Sequence, residues 1–179
     1  MFYKFRSFRN CFAALMVGLL LAGCTASPVY QRQEPIPHTR WESAFKPVFY
    51  FDVSDTQATY NLYFLIRHTE AYPFSNIWLR FSIKGPHDSV AKAQQLEIPL
   101  AQDNGRWYGR QMSEVWEQRM PVATEKGPNI LFPEAGRYTI QLEHLMRTNP
   151  LPEVMNVGIR VEKRGVAQKS ASKTAGPSN

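Results

Sequence analysis

Alternation of apolar and polar side chains is the feature that most limits what this chain can fold into. In the run "NIWLRFSIK" (76–84), apolar side chains stand at every second position from Ile77 to Ile83, and Trp78 begins the opposite face. The same two-residue period recurs in "RYTIQLEH" (137–144) and "NVGIRVEK" (156–163). Successive side chains of a β-strand point to opposite faces of the sheet, so these runs predict strands with one buried face.

About eight such runs follow one another, and turn-forming residues such as glycine, proline, asparagine and aspartate lie between them. The predicted strands cover 46–53, 58–68, 76–84, 94–100, 105–111, 114–123, 136–146 and 154–163. The segment "YNLYFLIR" (60–67) is apolar on both faces, which is typical of a central strand, and Pro99 indicates an edge strand at 94–100. No segment has a convincing helical period. The sequence therefore predicts a single all-β domain, an antiparallel two-sheet sandwich of jelly-roll or immunoglobulin-like type.

The N-terminal segment has the pattern of a lipoprotein signal peptide. A basic start is followed by the apolar run "CFAALMVGLLLAG", which is shorter than the roughly 20 residues that span a bilayer. The run ends in Leu21-Ala22-Gly23-Cys24, which fits the bacterial lipobox L-[AS]-[GA]-C. Small residues give the signal peptidase access, and the thiol of Cys24 is the nucleophile that accepts a diacylglycerol group. A plain secretory signal with an incidental cysteine, or a membrane-spanning anchor, is the alternative.

These features divide the chain into four predicted parts. Residues 1–23 form the signal peptide, 24–40 a lipidated tether with three prolines, 41–163 the sandwich domain and 164–179 a disordered basic tail. Cleavage removes Cys11 and lipid occupies Cys24, so no thiol remains for a disulfide, a metal site or catalysis.

The formal net charge of +6 has little to do with the folded part. Much of the excess lies in the leader and in the tail, and the domain between them is close to neutral. The charged positions concerned are Lys4, Arg6, Arg9, Arg164, Lys169 and Lys173. A basic patch on the domain would indicate a nucleic-acid partner, and its absence from the sequence argues against one.

No motif in the chain predicts catalysis, a metal or a cofactor. The four histidines have no ligand spacing, and each is interpreted as a structural or surface residue: His38, His68, His87 and His144. In "RHTE" (67–70), Arg67 and His68 are neighbours on a strand and point to opposite faces. Asp52 and Asp55 are close in sequence, but their place at a turn favours turn chemistry over a pair of glycosidase carboxylates. We therefore expect a non-enzymatic protein without cofactor or small-molecule substrate.

Aromatic residues in and near loops are the candidate partner contacts. In "EAYPFSN" (70–76), Tyr72 and Phe74 either plug the end of the sandwich or form a binding loop. In "GRWYGR" (105–110), Trp107 and Tyr108 either cap the core or contact a protein or a glycan. Trp78, on the outward face of its strand, is either covered by a loop or marks an interaction patch.

The order of four segments resembles the GldH gliding-motility lipoprotein family of the Bacteroidetes. These segments are "YNLYFLIRHTEAYPFSNIWLRFSI" (60–83), "GRWYGR" (105–110), "FPEAGRYTIQLEHLMR" (132–147) and "LPEVMNVGIRVEK" (151–163). The resemblance implies a cell-envelope lipoprotein without known enzymatic activity or cofactor. It also implies an accessory role in gliding motility and type IX secretion, through contacts with other envelope proteins.

The residues after Cys24, "TASPVY", contain no acidic cluster similar to the surface-export signal of Bacteroidetes lipoproteins. We therefore expect the periplasmic face of the outer membrane. A carbohydrate-binding envelope lipoprotein is the alternative function, and it would need two or three coplanar exposed aromatic rings in a concave groove.

Overall fold

The computed structural model describes residues 28–123, 127 and 129–166 of the chain. Within them, regular structure consists of twelve β-strands and one short 3-10 helix (Pro37–Thr39), with no α-helix. The strands are β1 (Tyr30–Pro35), β2 (Arg40–Trp41), β3 (Val48–Val53), β4 (Ala58–Thr69), β5 (Asn76–Lys84), β6 (Lys92–Pro99), β7 (Arg110–Met112), β8 (Val115–Pro121), β9 (Ile130–Leu131), β10 (Gly136–His144), β11 (Leu151–Pro152) and β12 (Val154–Val166). The predicted all-β class is confirmed. The strand number exceeds the predicted eight because β1, β2, β9 and β11 are too polar or too short to have a readable period.

Antiparallel pairing joins the strands into two main sheets that pack face to face. The larger sheet has the order β1-β12-β4-β8-β7, with β9 also paired to β4, and the smaller has the order β3-β10-β5-β6. A third, two-stranded sheet joins β2 and β11. The central position of β4 and the edge position of β6 are both as predicted. The single-domain sandwich prediction is therefore confirmed.

The core lies between the sheets and is built from the predicted apolar faces. In β5 the side chains of Ile77, Leu79 and Phe81 are buried, and Trp78 on the other face is exposed. Large aromatic side chains fill much of the interior, among them Trp41, Phe49, Tyr60, Phe64 and Phe132. Burying such rings removes large apolar areas from water, which stabilises a folded part whose described residues include no cysteine.

The predicted tether at 24–40 requires a correction, because much of it is folded. Residues of β1 pair in register with β12 from Tyr30 opposite Val161 to Pro35 opposite Asn156. Ile36 and Trp41 are buried in the core. The pattern "YQRQEP" is polar because β1 is an edge strand in which no side chain is fully buried. The domain therefore begins near residue 29, whereas Cys24 lies outside the described residues, as do the predicted signal peptide (1–23) and most of the predicted tail (167–179).

Two smaller boundaries also differ from the prediction. Strand β12 continues to Val166, three residues beyond the predicted domain end at 163. The predicted strand 105–111 is mostly a turn, and only Arg110–Met112 pairs as a strand. Two glycines with left-handed backbones, Gly105 (φ 81°) and Gly109 (φ 89°), produce this turn.

The long strands give the sandwich two distinct ends. We call the end formed by loops 70–75, 100–109, 113–114 and 145–150 the YPF end, after Tyr72-Pro73-Phe74. We call the end formed by Val29 and loops 54–57, 85–91 and 132–135 the Val29 end. Strand β4 runs from one end to the other, and its twelve residues span roughly 40 Å at about 3.3 Å per residue.

Candidate functional site

All five predicted contact aromatics lie at the YPF end, although they come from three separate parts of the chain. Backbone hydrogen bonds hold the loops together there: Leu100 N–H donates to Ser75 at 2.7 Å, and Tyr108 N–H donates to Leu100 at 2.8 Å. Leu145 N–H donates to the carbonyl oxygen of Trp78 at 2.8 Å. The end is therefore a set of mutually anchored loops on a rigid scaffold, which is a common setting for binding residues.

Tyr72 is a buried plug and not a surface contact. Its side chain is 3% exposed, and its hydroxyl donates to the carbonyl oxygen of Asn76 at 3.1 Å. The ring packs against His68 at 5.2 Å and edge-on against Phe74 at 5.8 Å between centroids. Burial raises the pKa of Tyr72 above its ordinary value, so the hydroxyl stays protonated. This burial favours the structural alternative for Tyr72 over the predicted partner contact, because a buried ring offers almost no surface to a partner. Phe74 is half-buried beside it.

Trp107 closes the same end of the core from the neighbouring loop. Its ring meets His68 at 4.6 Å between centroids and 64° between planes. Gly109 has to be glycine here, because a Cβ would overlap the carbonyl oxygen of Glu117 on β8. The loop consequently lies directly against the sheet, with Trp107 turned inward and half-buried while Tyr108 is exposed.

His68 is a structural residue beneath these rings. It is fully buried; Nδ1 donates to the carbonyl oxygen of Thr69 at 2.8 Å, and Nε2 accepts from the Gln118 amide at 2.8 Å. Burial lowers the pKa of His68, which keeps the ring neutral. Both ring nitrogens are thus engaged. Its neighbour Arg67 points to the opposite face and pairs with Glu117 at 3.1 Å, as the strand geometry predicts.

The exposed part of the YPF end contains a groove beside Trp78. This indole is 40% exposed, and the groove has a volume of about 500 Å³. Its other lining residues are Phe74, Leu145, Met146, Arg147 and Thr148. The backbone N–H of Trp78 donates to the sulfur of Met146 at 3.2 Å, which ties β5 to the 145–148 segment. The groove combines an aromatic ring, a flexible thioether and a cation, a composition that is typical of protein contact sites.

A second depression of about 570 Å³ lies on the same end and contains Trp107, Tyr108, Arg106, Arg110 and Trp116. The indole N–H of Trp116 donates to the carboxylate of Glu70. Sequence analysis missed Trp116, Met146 and Arg147 as surface residues of this end. Met146 and Arg147 directly follow the apolar alternation of β10, but only the pairing of β10 with β5 brings them to Trp78.

The described residues do not support a metal site or a sugar-binding platform. No group of three or more histidine, cysteine, aspartate or glutamate side chains in that part of the chain is arranged to hold a metal ion.

The ring contacts at the YPF end are tilted or edge-on, and Trp78 and Tyr108 line separate depressions. Trp78 and Tyr108 therefore do not share the single platform of coplanar rings that the sugar-binding alternative would need. In the described residues, no helix is long and apolar enough to span a membrane.

Comparison with known proteins points to one family. A family model described as GldH lipoprotein matches residues 28–161. A protein of Christiangramia forsetii named gliding motility lipoprotein GldH homolog is 28% identical over 165 residues, covering 88% of this chain and 98% of the relative. The gliding motility lipoprotein GldH of Flavobacterium johnsoniae is 23% identical over 163 residues, covering 87% and 98%.

Among solved structures, a chain of infectious bursal disease virus aligns with 78% of this chain at 12% identity. The TM-score is 0.33, and this chain spans 30% of the viral one. A similarity this low carries no argument about fold or function.

Proposed function

The chain belongs to the GldH lipoprotein family, and on that premise we propose that it is an accessory component of the gliding-motility and type IX secretion-associated machinery. It works without catalysis, through protein–protein contacts made close to a membrane. The observation that carries this proposal is the exposed Trp78 beside Met146 and Arg147 in an open groove.

Trp78 stands out from the rest of the surface around it. Apart from Tyr50 on β3, the outer face of the smaller sheet is largely polar: Glu143 forms ion pairs with Arg80 at 2.9 Å and with Lys46 at 3.2 Å. Tryptophan and arginine are enriched among residues that dominate binding energy, because they bury large areas and donate directed hydrogen bonds. The groove therefore suits a partner that inserts an apolar side chain and carries an acidic group opposite Arg147.

The lipid anchor supplies the other half of the mechanism. Acylation of Cys24 confines the domain to one leaflet, at the periplasmic face of the outer membrane in this proposal. Confinement raises the effective concentration of the domain for partners in the same compartment, so that weak contacts suffice. Cys24 itself lies outside the described residues.

Crosslinking in native envelopes tests the contact. We compare C-terminally tagged wild-type protein with the variants Trp78→Ala and Tyr50→Ala. Tyr50 is an exposed aromatic on the outer face of β3, outside the groove, so it controls for general loss of aromatic surface. Loss of a central interface tryptophan typically costs 2 kcal/mol or more, so recovery of crosslinked motility or secretion subunits should fall at least about tenfold for Trp78→Ala. Equal recovery with both variants would contradict the assigned groove.

A further inference from the structure

The folded domain starts very close to the predicted lipid anchor. The first described residue is Pro28, and Val29 N–H already donates to Val161 at 2.9 Å. Only residues 25–27 separate Pro28 from Cys24. A chain extends at most about 3.6 Å per residue, so the Cα atom of Cys24 lies within about 14 Å of that of Pro28.

From this short link we propose that the Val29 end of the sandwich rests on the leaflet that holds Cys24, and that the YPF end points away from the membrane. The proposal rests on the Cys24 anchor of the proposed function. The occupant of the Val29 end is the lipid surface itself. Because the strands span roughly 40 Å, the Trp78 groove is presented well clear of the lipid headgroups.

Exposed apolar side chains at the Val29 end support this orientation. Val90, in the loop between β5 and β6, is 75% exposed, and Leu131 and Val29 are also exposed. Ring contacts place Val29 and Leu131 at one end: Tyr30 meets Phe51 at 5.9 Å, and Phe51 meets Phe132 at 5.5 Å between centroids. The loop of Val90 lies beside them, because Asp88 and Lys92 line one depression together with Leu131. Apolar side chains that cost free energy in water are accommodated at the boundary between headgroups and acyl chains.

The charges of the Val29 end also suit a lipid surface. Three of its cations are neutralised by carboxylates, in the pairs Lys163–Asp55 (2.6 Å), Arg137–Asp52 (3.3 Å) and Lys92–Asp88 (4.0 Å).

Two further exposed cations of this end, Lys84 and Arg164, have no ion pair within the described residues, against one exposed carboxylate, Glu134, that also has none there. The sequence that follows β12 adds Lys169 and Lys173 and no acidic residue. Basic residues near an anionic lipid surface are attracted to it, so this excess favours the same orientation.

Single introduced thiols report the orientation directly. The natural cysteines are Cys11 in the predicted signal peptide and the acylated Cys24, so an added cysteine is the single free thiol of the processed protein. We place one at Val90 (Val90→Cys) and one at Met112 (Met112→Cys), an exposed residue of the YPF end that is 53% exposed. Each full-length lipoprotein is labelled with a fluorophore and reconstituted into phosphatidylglycerol-containing vesicles that carry a nitroxide quencher on the lipid headgroup.

The proposal predicts at least threefold stronger quenching at position 90 than at position 112. Equal quenching, or stronger quenching at 112, in protein that sediments with the vesicles overturns the orientation and leaves the anchor intact. Protein that carries no acyl chains and does not sediment overturns the anchor of the proposed function and the orientation together. Thermal melts of both variants verify that each has kept the fold.

Discussion

Gly105 and Gly109 have similar left-handed backbones but different surroundings. A Cβ at Gly105 would have no heavy atom within 4 Å, whereas one at Gly109 would overlap the backbone of Glu117 and Gln118. The two positions therefore separate the cost of an unfavourable φ from the cost of lost packing against β8.

We expect Gly109→Ala to lower the free energy of unfolding by about 2–4 kcal/mol, from backbone strain and overlap together. Gly105→Ala should cost about 1–2 kcal/mol, from the left-handed φ alone. Urea unfolding followed by tryptophan fluorescence measures both, and equal losses in the two variants would refute the close approach of the loop to β8.

Two buried histidines differ in how their ring nitrogens are satisfied. Both nitrogens of His68 are hydrogen-bonded, whereas the ring nitrogens of His144 make no hydrogen bond of good geometry within the described residues and interact only weakly with the backbone of Trp41, whose ring lies edge-on to the imidazole at 5.2 Å. At pH 7.5 we therefore expect His144→Leu to leave stability nearly unchanged. His68→Leu should lose about 1–3 kcal/mol, because it leaves the Gln118 amide buried and unpaired.

Burial lowers the pKa of both histidines in the folded state, so the unfolded chain binds protons more readily than the native protein. The contribution of the two neutral histidines to the free energy of unfolding is therefore complete above the ordinary histidine pKa of about 6.5, and it declines as the pH falls below that value. We expect the free energy of unfolding to decrease between about pH 6.5 and 5, and His144→Leu to reduce that decrease. Urea titrations at several pH values measure the slope; an identical slope in this variant would refute the assignment.

Among the described strands of six or more residues, β1 is the one that sequence patterns did not reveal. Its residues are polar and include Pro35, and its partner β12 lies more than 120 residues further along the chain. Nothing local in such a segment distinguishes an edge strand from an extended linker, because the backbone hydrogen bonds that define the strand come from the partner. The alternation in β5, β10 and β12 was readable because burial of one face imposes it within a single strand.

The pairing of β1 with the larger sheet depends on Gly158. A Cβ at this position of β12 would overlap the carbonyl oxygen of Arg32 in β1. We expect Gly158→Ala to detach β1, raising the amide hydrogen-exchange rates of residues 30–35 at least about tenfold while β4 and β10 remain protected. Arg32→Ala, which removes a mostly exposed side chain and leaves the carbonyl oxygen in place, is the control. Unchanged exchange in Gly158→Ala would show that the strand tolerates the methyl group.

At the scale of the whole molecule, the proposed location depends on a single residue, Cys24. We expect Cys24→Ala to abolish incorporation of labelled palmitate and to release the domain into the soluble fraction, since two or more acyl chains are what make anchoring stable. Cell fractionation and palmitate labelling measure the two effects. Retention of the variant in the membrane fraction would count against acylation as the means of attachment.

The sequence by itself determined the all-β class, the buried faces of the long strands, the central place of β4 and the family. These properties follow from the period of apolar side chains and from local motifs, both of which can be recognised within short stretches of chain. Only the tertiary structure decided that Tyr72 is an internal plug, that Trp78 shares a groove with Met146 and Arg147, and that β1 folds onto β12. Each of these depends on pairing between strands far apart in sequence, where hydrogen bonds and packing are contributed by residues that no local pattern identifies.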